Sequence, residues 1–378
     1  MTLSHNGRMV PGVASFAGTE RYASRIGGRL PSEHFRRLDG GPRTSSVGIG
    51  TYLGREDGAT DVSYQQAITR ALERGINVID TSVNYRFQRS ERAVGAVLEA
   101  AFRRKLVARD ELIVATKGGF IPFDGAMPRD PGAYFTETYL KPGIVAPDDV
   151  VGGAHCMTPR FLDDQIDKSR ANLGLETLDV YYVHNPETQL EHVGRPEFLV
   201  RLRRAFEALE RAVDGGRIAR YGTATWNGYR VDPGAADHLS LEEIVGIARE
   251  VGGAGHHFKV IQAPYNLAMT EAYTRATQRV GNEMLPLLEA AQRLGVYVMT
   301  SASVYQGQLT RNLPPVVAEF LPGLATDAQR AVQFVRSTPG VGTALVGMKS
   351  VAHVEENATV TGVTPLLPAE FARLFKPA

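Results

Sequence analysis

The 378-residue chain has one cysteine and no excess of charge, and each scarcity excludes something. A lone Cys156 leaves no intrachain disulfide and no multi-cysteine metal site. Forty-two basic residues against 41 acidic ones leave +1, so there is no electrostatic reason to expect nucleic acid or a membrane surface as partner. No apolar run reaches the ~18 residues a membrane helix needs. Residues 1–12 lack a signal-peptide core, so the expected location is the cytoplasm. Low-complexity tracts and internal repeats are missing too. Hydrophobic residues at 43% and charged ones at 22% are too ordinary for a disordered chain.

What is present is an alternation. Short β-branched runs at 47–51, 77–80, 112–116, 178–183, 218–223, 259–262, 296–300 and 344–347 read as strands. Helical spacing follows them at 63–74, 90–104, 159–173, 196–214, 241–251, 282–294, 327–337 and 351–359. Thr158-Pro159 reads as a cap followed by a first-turn proline, and Gly75, Gly215 and Gly295 punctuate helix ends before strands. Eight β-then-α units fit a closed (β/α)8 TIM barrel better than an open sheet. At ~150 residues per domain the length would suggest two or three domains, but such barrels use 200 to over 400 residues as one. The expected organisation is an N-terminal extension over 1–45 with one short hairpin, a barrel over 46–363 and a tail over 364–378. Residues 118–157, rich in Gly, Pro and Asp, form a long loop after strand three. It is expected at the C-terminal face, where barrel enzymes carry their chemistry.

The residues that carry chemistry stand at strand ends. Asp80 closes the second strand, Tyr85 follows five residues on, Lys117 ends the third and His184 ends the fourth. Taken singly each has a plain structural reading: a cap, a loop aromatic, a solvated lysine, a satisfied histidine. Placed at the C-terminal ends of successive barrel strands, they would share one mouth and suit proton transfer. Tyrosine is a poor acid, with a reference pKa of about 10. Lys117 is expected to lower that value, Asp80 to keep Lys117 charged, and His184 to donate to a carbonyl oxygen.

With these residues in that order the chain resembles the aldo-keto reductase superfamily, NAD(P)H-dependent oxidoreductases on a (β/α)8 barrel. Asp80, Tyr85, Lys117 and His184 match its catalytic tetrad, and the similarity runs from about Gly48 to Asn357. The resemblance assigns cofactor contacts to Gly50, Thr51, Asp80, Thr225, Gln262 and Ser301, and adenosine-phosphate contacts to Lys349, Ser350, His353, Glu356 and Asn357. Tyr52, Phe87 and His184 are the implied substrate contacts. Unaided, Lys349 beside a hydroxyl and a helix N-terminus already suits a phosphate. NADP(H) is therefore expected, with NAD(H) not excluded, since His353 stands where the family often has arginine or glutamine.

Three departures from the pattern stand out. The Gly-x-Ser-Asn after the fifth strand reads Gly222-Thr223-Ala224-Thr225. The nicotinamide-stacking aromatic is Ser301, with Tyr305 or Trp226 as neighbouring rings. The third is the 118–157 insertion, whose Asp124, Arg129 and Asp130 suggest a polar or sugar-like carbonyl. Other signals are discounted. Asp163-Asp164-Gln165-Ile166-Asp167 lies just inside a helix start, and Arg55-Glu56-Asp57-Gly58 is read as not opening a helix. His155-Cys156 and His256-His257 lack further ligands, so no metal is expected. The implied function is reduction of an aldehyde or ketone to an alcohol with Tyr85 as acid. Two rivals share the parts: a redox-neutral epimerase, and a non-catalytic NADP(H)-binding regulatory barrel. Nothing in the sequence specifies an oligomeric state.

Overall fold

The computed structural model describes residues 9–28 and 30–375. Strands β1 (Phe35–Arg37) and β2 (Arg43–Ser45) form an antiparallel hairpin. Then come β3 (Val47–Gly50), β4 (Val78–Asp80), β5 (Ile113–Gly118), β6 (Val180–His184), β7 (Tyr221–Ala224) and β8 (Phe258–Pro264). A second hairpin, β9 (Gln278–Val280) with β10 (Glu283–Leu285), precedes β11 (Tyr297–Ser301) and β12 (Thr343–Gly347). The eight strands β11-β12-β3-β4-β5-β6-β7-β8 close into a parallel barrel, so the expected (β/α)8 architecture is the one observed.

Side chains on a strand alternate between its two faces, and here that alternation aims the site. Val78, Ile113, Ala115, Val180 and Tyr182 fill the barrel interior, while Ile79, Val114, Tyr181 and Val183 pack outward in the helix-facing core. Continuing the inward series by two residues brings Asp80 on β4, Lys117 on β5 and His184 on β6 to the C-terminal mouth. Backbone approach is close where β7 bulges against β8: a Cβ on Gly222 would lie 1.6 Å from the Val260 carbonyl oxygen, so only glycine fits.

The extension seals the barrel floor. Ala14 and Leu38 join the interior cluster. Buried Asp179 accepts the backbone N–H of Ala14 (2.7 Å) and of Val114 (2.9 Å) and pairs with Arg109 at 2.9 Å. The expected hairpin is present, but so is an unexpected helix, Phe16–Gly27, capped by Ser15, whose hydroxyl accepts from Gly18 at 2.9 Å. It buries Thr19, Tyr22 and Ala23 and packs Ile26 against the core, a helical spacing passed over among the Gly, Ser and Arg of this segment.

Other boundaries are corrected as well. Asp57 does open a helix, Gly58–Glu73, accepting the Thr60 N–H at 2.8 Å. The segment expected as a helix over 282–294 begins with the turn of the β9–β10 hairpin, where Gly281 has φ 58°, and the helix is only Leu287–Arg293. Gly281-Asn282 is a hairpin-type dipeptide overlooked among helix-forming neighbours. The final segment is not a trailing tail: helix Pro368–Ala372 buries Phe371, 5.2 Å from the rings of both Phe334 and Tyr273. The insertion also has structure of its own, helix Pro131–Phe135 running on into Thr136–Leu140, over a small core of Tyr139, Val145, Cys156 and Phe161.

Two histidines buried by this fold make stability depend on pH. Burial pushes His34 down to about 3 and His155 down to about 4. Both are neutral in the fold, whereas the unfolded chain protonates near 6.5. Their contribution is therefore complete above about pH 6.5 and is lost as pH falls toward the folded values. Lowering pH from about 7 to about 5 is expected to cost on the order of 2 kcal/mol per histidine. Denaturant unfolding at the two pH values checks this; equal midpoints would contradict it.

Candidate active site

Of the predicted strand-end residues, Asp80 and Lys117 are in direct contact. Lys117 Nζ donates to Asp80 Oδ2 at 2.7 Å and to the Thr81 carbonyl at 2.8 Å, with both side chains buried. Gln262 Nε2 donates to the other Asp80 oxygen at 2.8 Å, so β4, β5 and β8 meet at one carboxylate. The Thr51 N–H and hydroxyl both donate to the Asp80 carbonyl, at 3.1 and 3.2 Å. Gly50 pairs with Asp80 on one side and Gly347 on the other, linking the mouth to the strand that leads to Lys349.

Tyr85 lies beside this network, with Lys117 Nζ 4.9 Å from its ring centroid. The direction of its acidity reverses the expectation. Burial first, then the charge of Asp80, holds the phenol well above its ordinary value of 10.0. The Lys117 charge is largely neutralised by Asp80 at 2.7 Å, so little of it is left to favour phenolate. Lys117 itself is lowered by burial, against the pull of Asp80. Burial, then Lys117 and His155, holds His184 well below 6.5, so its imidazole is neutral. The His184 ring stands 5.9 Å from Tyr85 and 5.1 Å from Phe120, and its Nδ1 is 3.4 Å from the Ser82 hydroxyl. Tyr52, 57% exposed, meets Tyr85 edge-on at 5.0 Å and forms the outer rim.

The turn after Tyr85 stores backbone strain. Arg86, Phe87 and Gln88 have φ of 49°, 55° and 71°, and left-handed non-glycine residues of this kind cost on the order of 1 kcal/mol or more each. Buried Arg86 pins the turn by donating to Asp61 at 2.5 Å and to the Arg55 carbonyl at 2.8 Å. Phe87 packs on Phe123 of the insertion, with centroids 5.7 Å apart.

The expected nicotinamide contacts are more dispersed. Thr225 follows β7 with its N–H on the Gln262 carbonyl at 2.8 Å. Ser301 ends β11, its carbonyl accepting from Tyr265 at 3.1 Å. The loop beyond is contorted, with φ of 57° at Ala302, 46° at Tyr305 and 54° at Gln306. Trp226 is 41% exposed beside Thr225. Sequence reasoning passed over Glu187, whose buried carboxylate receives the N–H groups of Trp226 (2.6 Å), Asn227 (3.1 Å) and Gly228 (3.4 Å) and so fixes this loop. It also passed over Tyr182, whose buried hydroxyl has no partner on the inner face two residues before His184; period-two spacing could have found it.

The last group gathers on helix Val351–Ala358. Ser350 caps it, its hydroxyl accepting from His353 N–H at 3.3 Å, and the first turn carries no acidic residue. Lys349 and His353 are exposed, and the Lys349 carbonyl accepts from Ser63 at 2.5 Å. Glu356 is half-buried. Asn357 is buried with its side-chain oxygen unpartnered, an acceptor that an adenine amino group would satisfy. Among the described residues no group of three or more His, Cys, Asp or Glu could hold a metal ion, and no helix is long and apolar enough to cross a membrane.

The chain is similar to known proteins along most of its length. The chain is 23% identical over 355 residues to aldo-keto reductase YhdN of Bacillus subtilis, covering 88% of this chain and 89% of that protein. It is 26% identical over 287 residues to the NADH-specific methylglyoxal reductase of Escherichia coli, covering 74% of this chain and 68% of that one. Among solved structures, the aldo/keto reductase of Klebsiella pneumoniae in complex with NADP and acetate superposes with a TM-score of 0.60 at 20% identity, over 90% of this chain and 94% of that chain. A family model described as Aldo/keto reductase family matches residues 46–315, and the chain belongs to that family.

Proposed function

We propose that this protein reduces an aldehyde or ketone to an alcohol, with NADPH as hydride donor and Tyr85 as general acid. The observation that carries the reading is the buried Lys117–Asp80–Gln262 network beside a neutral phenol and a neutral imidazole. Bound at the mouth, the nicotinamide would supply hydride to the carbonyl carbon. Gln262, Thr225, Ser301, Gly50, Thr51 and Asp80 would hold that end of the cofactor. Lys349, Ser350, His353, Glu356 and Asn357 would hold the adenosine end. As negative charge develops on the substrate oxygen, Tyr85 gives up its proton to it and His184 orients it. Lys117, 4.9 Å from the ring centroid and tied to Asp80, fixes the wall against which the Tyr85 ring stands.

The wall that supports this reading is aromatic: Tyr52 meets Tyr85, Phe120 meets His184, and Phe87, two residues after Tyr85, packs on Phe123. The charges that suggested a polar substrate are mostly committed. Asp124 pairs with Arg92 at 2.6 Å and Asp130 caps a helix through Ala133 N–H at 2.8 Å. We therefore favour a carbonyl on a flat or apolar body over a charged one.

Calorimetric titration tests the cofactor half of the proposal. NADPH is expected to bind at micromolar affinity or tighter and NADH at least tenfold more weakly, about 1.4 kcal/mol. Lys349→Ala should remove most of that difference while leaving NADH affinity nearly unchanged, because the lysine acts as a point charge on the extra phosphate. Binding of neither nucleotide would overturn the reading. Carbonyl-dependent oxidation of NADPH across an aldehyde and ketone panel tests the other half.

A further inference from the structure

Besides lending Phe120 and Phe123 to the substrate wall, the insertion 118–157 holds the backbone next to the proposed proton-transfer residues at two places. At the first, Gly125 N–H donates to the Phe87 carbonyl at 2.8 Å and Gln88 Nε2 donates to the Phe123 carbonyl at 3.0 Å. These bonds hold the left-handed turn directly after Tyr85. At the second, fully buried His155 lies against the end of β6. Its Nε2 is 2.7 Å from the His184 carbonyl oxygen, which can only accept, so Nε2 carries the proton. Its Nδ1 then accepts from Gln189 Nε2 at 2.8 Å, and the Gln189 oxygen accepts from Arg201 at 2.9 Å. The tautomer is thus set by a chain running from helix Arg195–Asp214 into the site.

The fit is close. Phe120 places its ring edge-on between His155 (5.0 Å) and His184 (5.1 Å). A Cβ on Gly119 would lie 2.9 Å from the His184 carbonyl and 3.0 Å from His155 Nε2, at a φ of 148°. The residue after His184, Asn185, is left-handed like those after Tyr85, with φ 47°. Both proton-transfer side chains therefore border strained backbone that would relax unless held, and the insertion grips both borders.

We infer that the insertion is a splint for the Tyr85–His184 pair and that His155 is its positioning residue, fixing where His184 stands without touching substrate. This inference rests on the proton-transfer reading above. Both groups must meet one carbonyl oxygen, and a small misplacement is costly: a shift of 1 Å can lose about 10²-fold in rate.

The test compares two replacements at one position. His155→Phe keeps ring volume but removes the donor to His184, and is expected to lower kcat by roughly 10- to 100-fold on the fastest-reduced aldehyde or ketone of the panel. NADPH affinity, read by calorimetry, should stay close to that of the parent. His155→Gln offers an amide N–H in place of Nε2 and should recover most of the lost kcat. Gln189→Leu frees Nδ1 while keeping His155, and should lower kcat by a smaller factor; it serves if His155→Phe folds poorly. Parental kcat in His155→Phe, or in Gln189→Leu where that variant stands in, overturns the inference. So does equal loss in the Phe and Gln variants, or a loss that tracks NADPH affinity, each of which would reduce His155 to packing. Tyr85→Phe run in parallel separates the two levels. If it keeps turnover, the proton-transfer reading itself fails; if it is inactive while His155→Phe is unaffected, only the splint fails.

Discussion

Tyr85→Phe is expected to lower carbonyl reduction by about 10²- to 10⁴-fold, the usual contribution of a positioned general acid. NADPH affinity and folding should be nearly unchanged. Phenylalanine keeps the ring that packs against Tyr52 and His184 and lies near Lys117. Among the described residues the phenol oxygen has no hydrogen-bond partner, so its removal orphans no buried group. The only function deleted is the proton. Because burial and Asp80 keep that proton in place well above pH 10.0, the parent should show no loss of reduction near neutrality from ionisation of Tyr85. Steady-state rates with calorimetry on the same samples check the expectation. A variant that still turns over at the parental rate would take Tyr85 out of the mechanism.

Asp179→Ala should do the reverse, damaging stability while leaving the chemistry of the mouth untouched. It would strand the buried Arg109 guanidinium and leave the backbone N–H groups of Ala14 and Val114 without an acceptor. Breaking a buried ion pair from one side costs about 3–5 kcal/mol. Asp179→Asn, which keeps one acceptor, should cost less. Denaturant unfolding followed by circular dichroism measures both. NADPH affinity of the folded fraction should match the parent, because Asp179 lies at the opposite end of the barrel from Asp80. Parental stability in Asp179→Ala would mean that the extension does not depend on this carboxylate to close the floor. The two variants together separate a face that holds chemistry from a face that holds the fold.

The barrel was legible because its signals are local. Each β-then-α unit shows as a short apolar run followed by helical spacing, and all eight barrel strands fall where that pattern puts them. Elements with weak local signals were missed or displaced. Helix Phe16–Gly27 buries a face of only one turn or two, Thr19, Tyr22, Ala23 and Ile26, amid polar residues, and the β9–β10 hairpin is hidden beside residues that favour helix. Asp57 caps a helix whose spacing was expected to begin only at residue 63.

The same division holds at the site. The sequence by itself determined which residues reach the mouth: period-two alternation and strand-end position were enough to converge Asp80, Lys117 and His184, and the five-residue step brought Tyr85 beside them. Only the tertiary structure decided what those groups feel and what holds them. Lys117 was expected to acidify Tyr85, yet its charge is matched by Asp80 and burial wins. Asp124 and Asp130 looked free for a substrate but are held by Arg92 and Ala133. His155 looked inert for want of metal ligands, yet it bonds the His184 carbonyl. The reason is one of range: which way a side chain points follows from its neighbours along the strand, whereas desolvation and hydrogen-bond partners come from segments tens to hundreds of residues away.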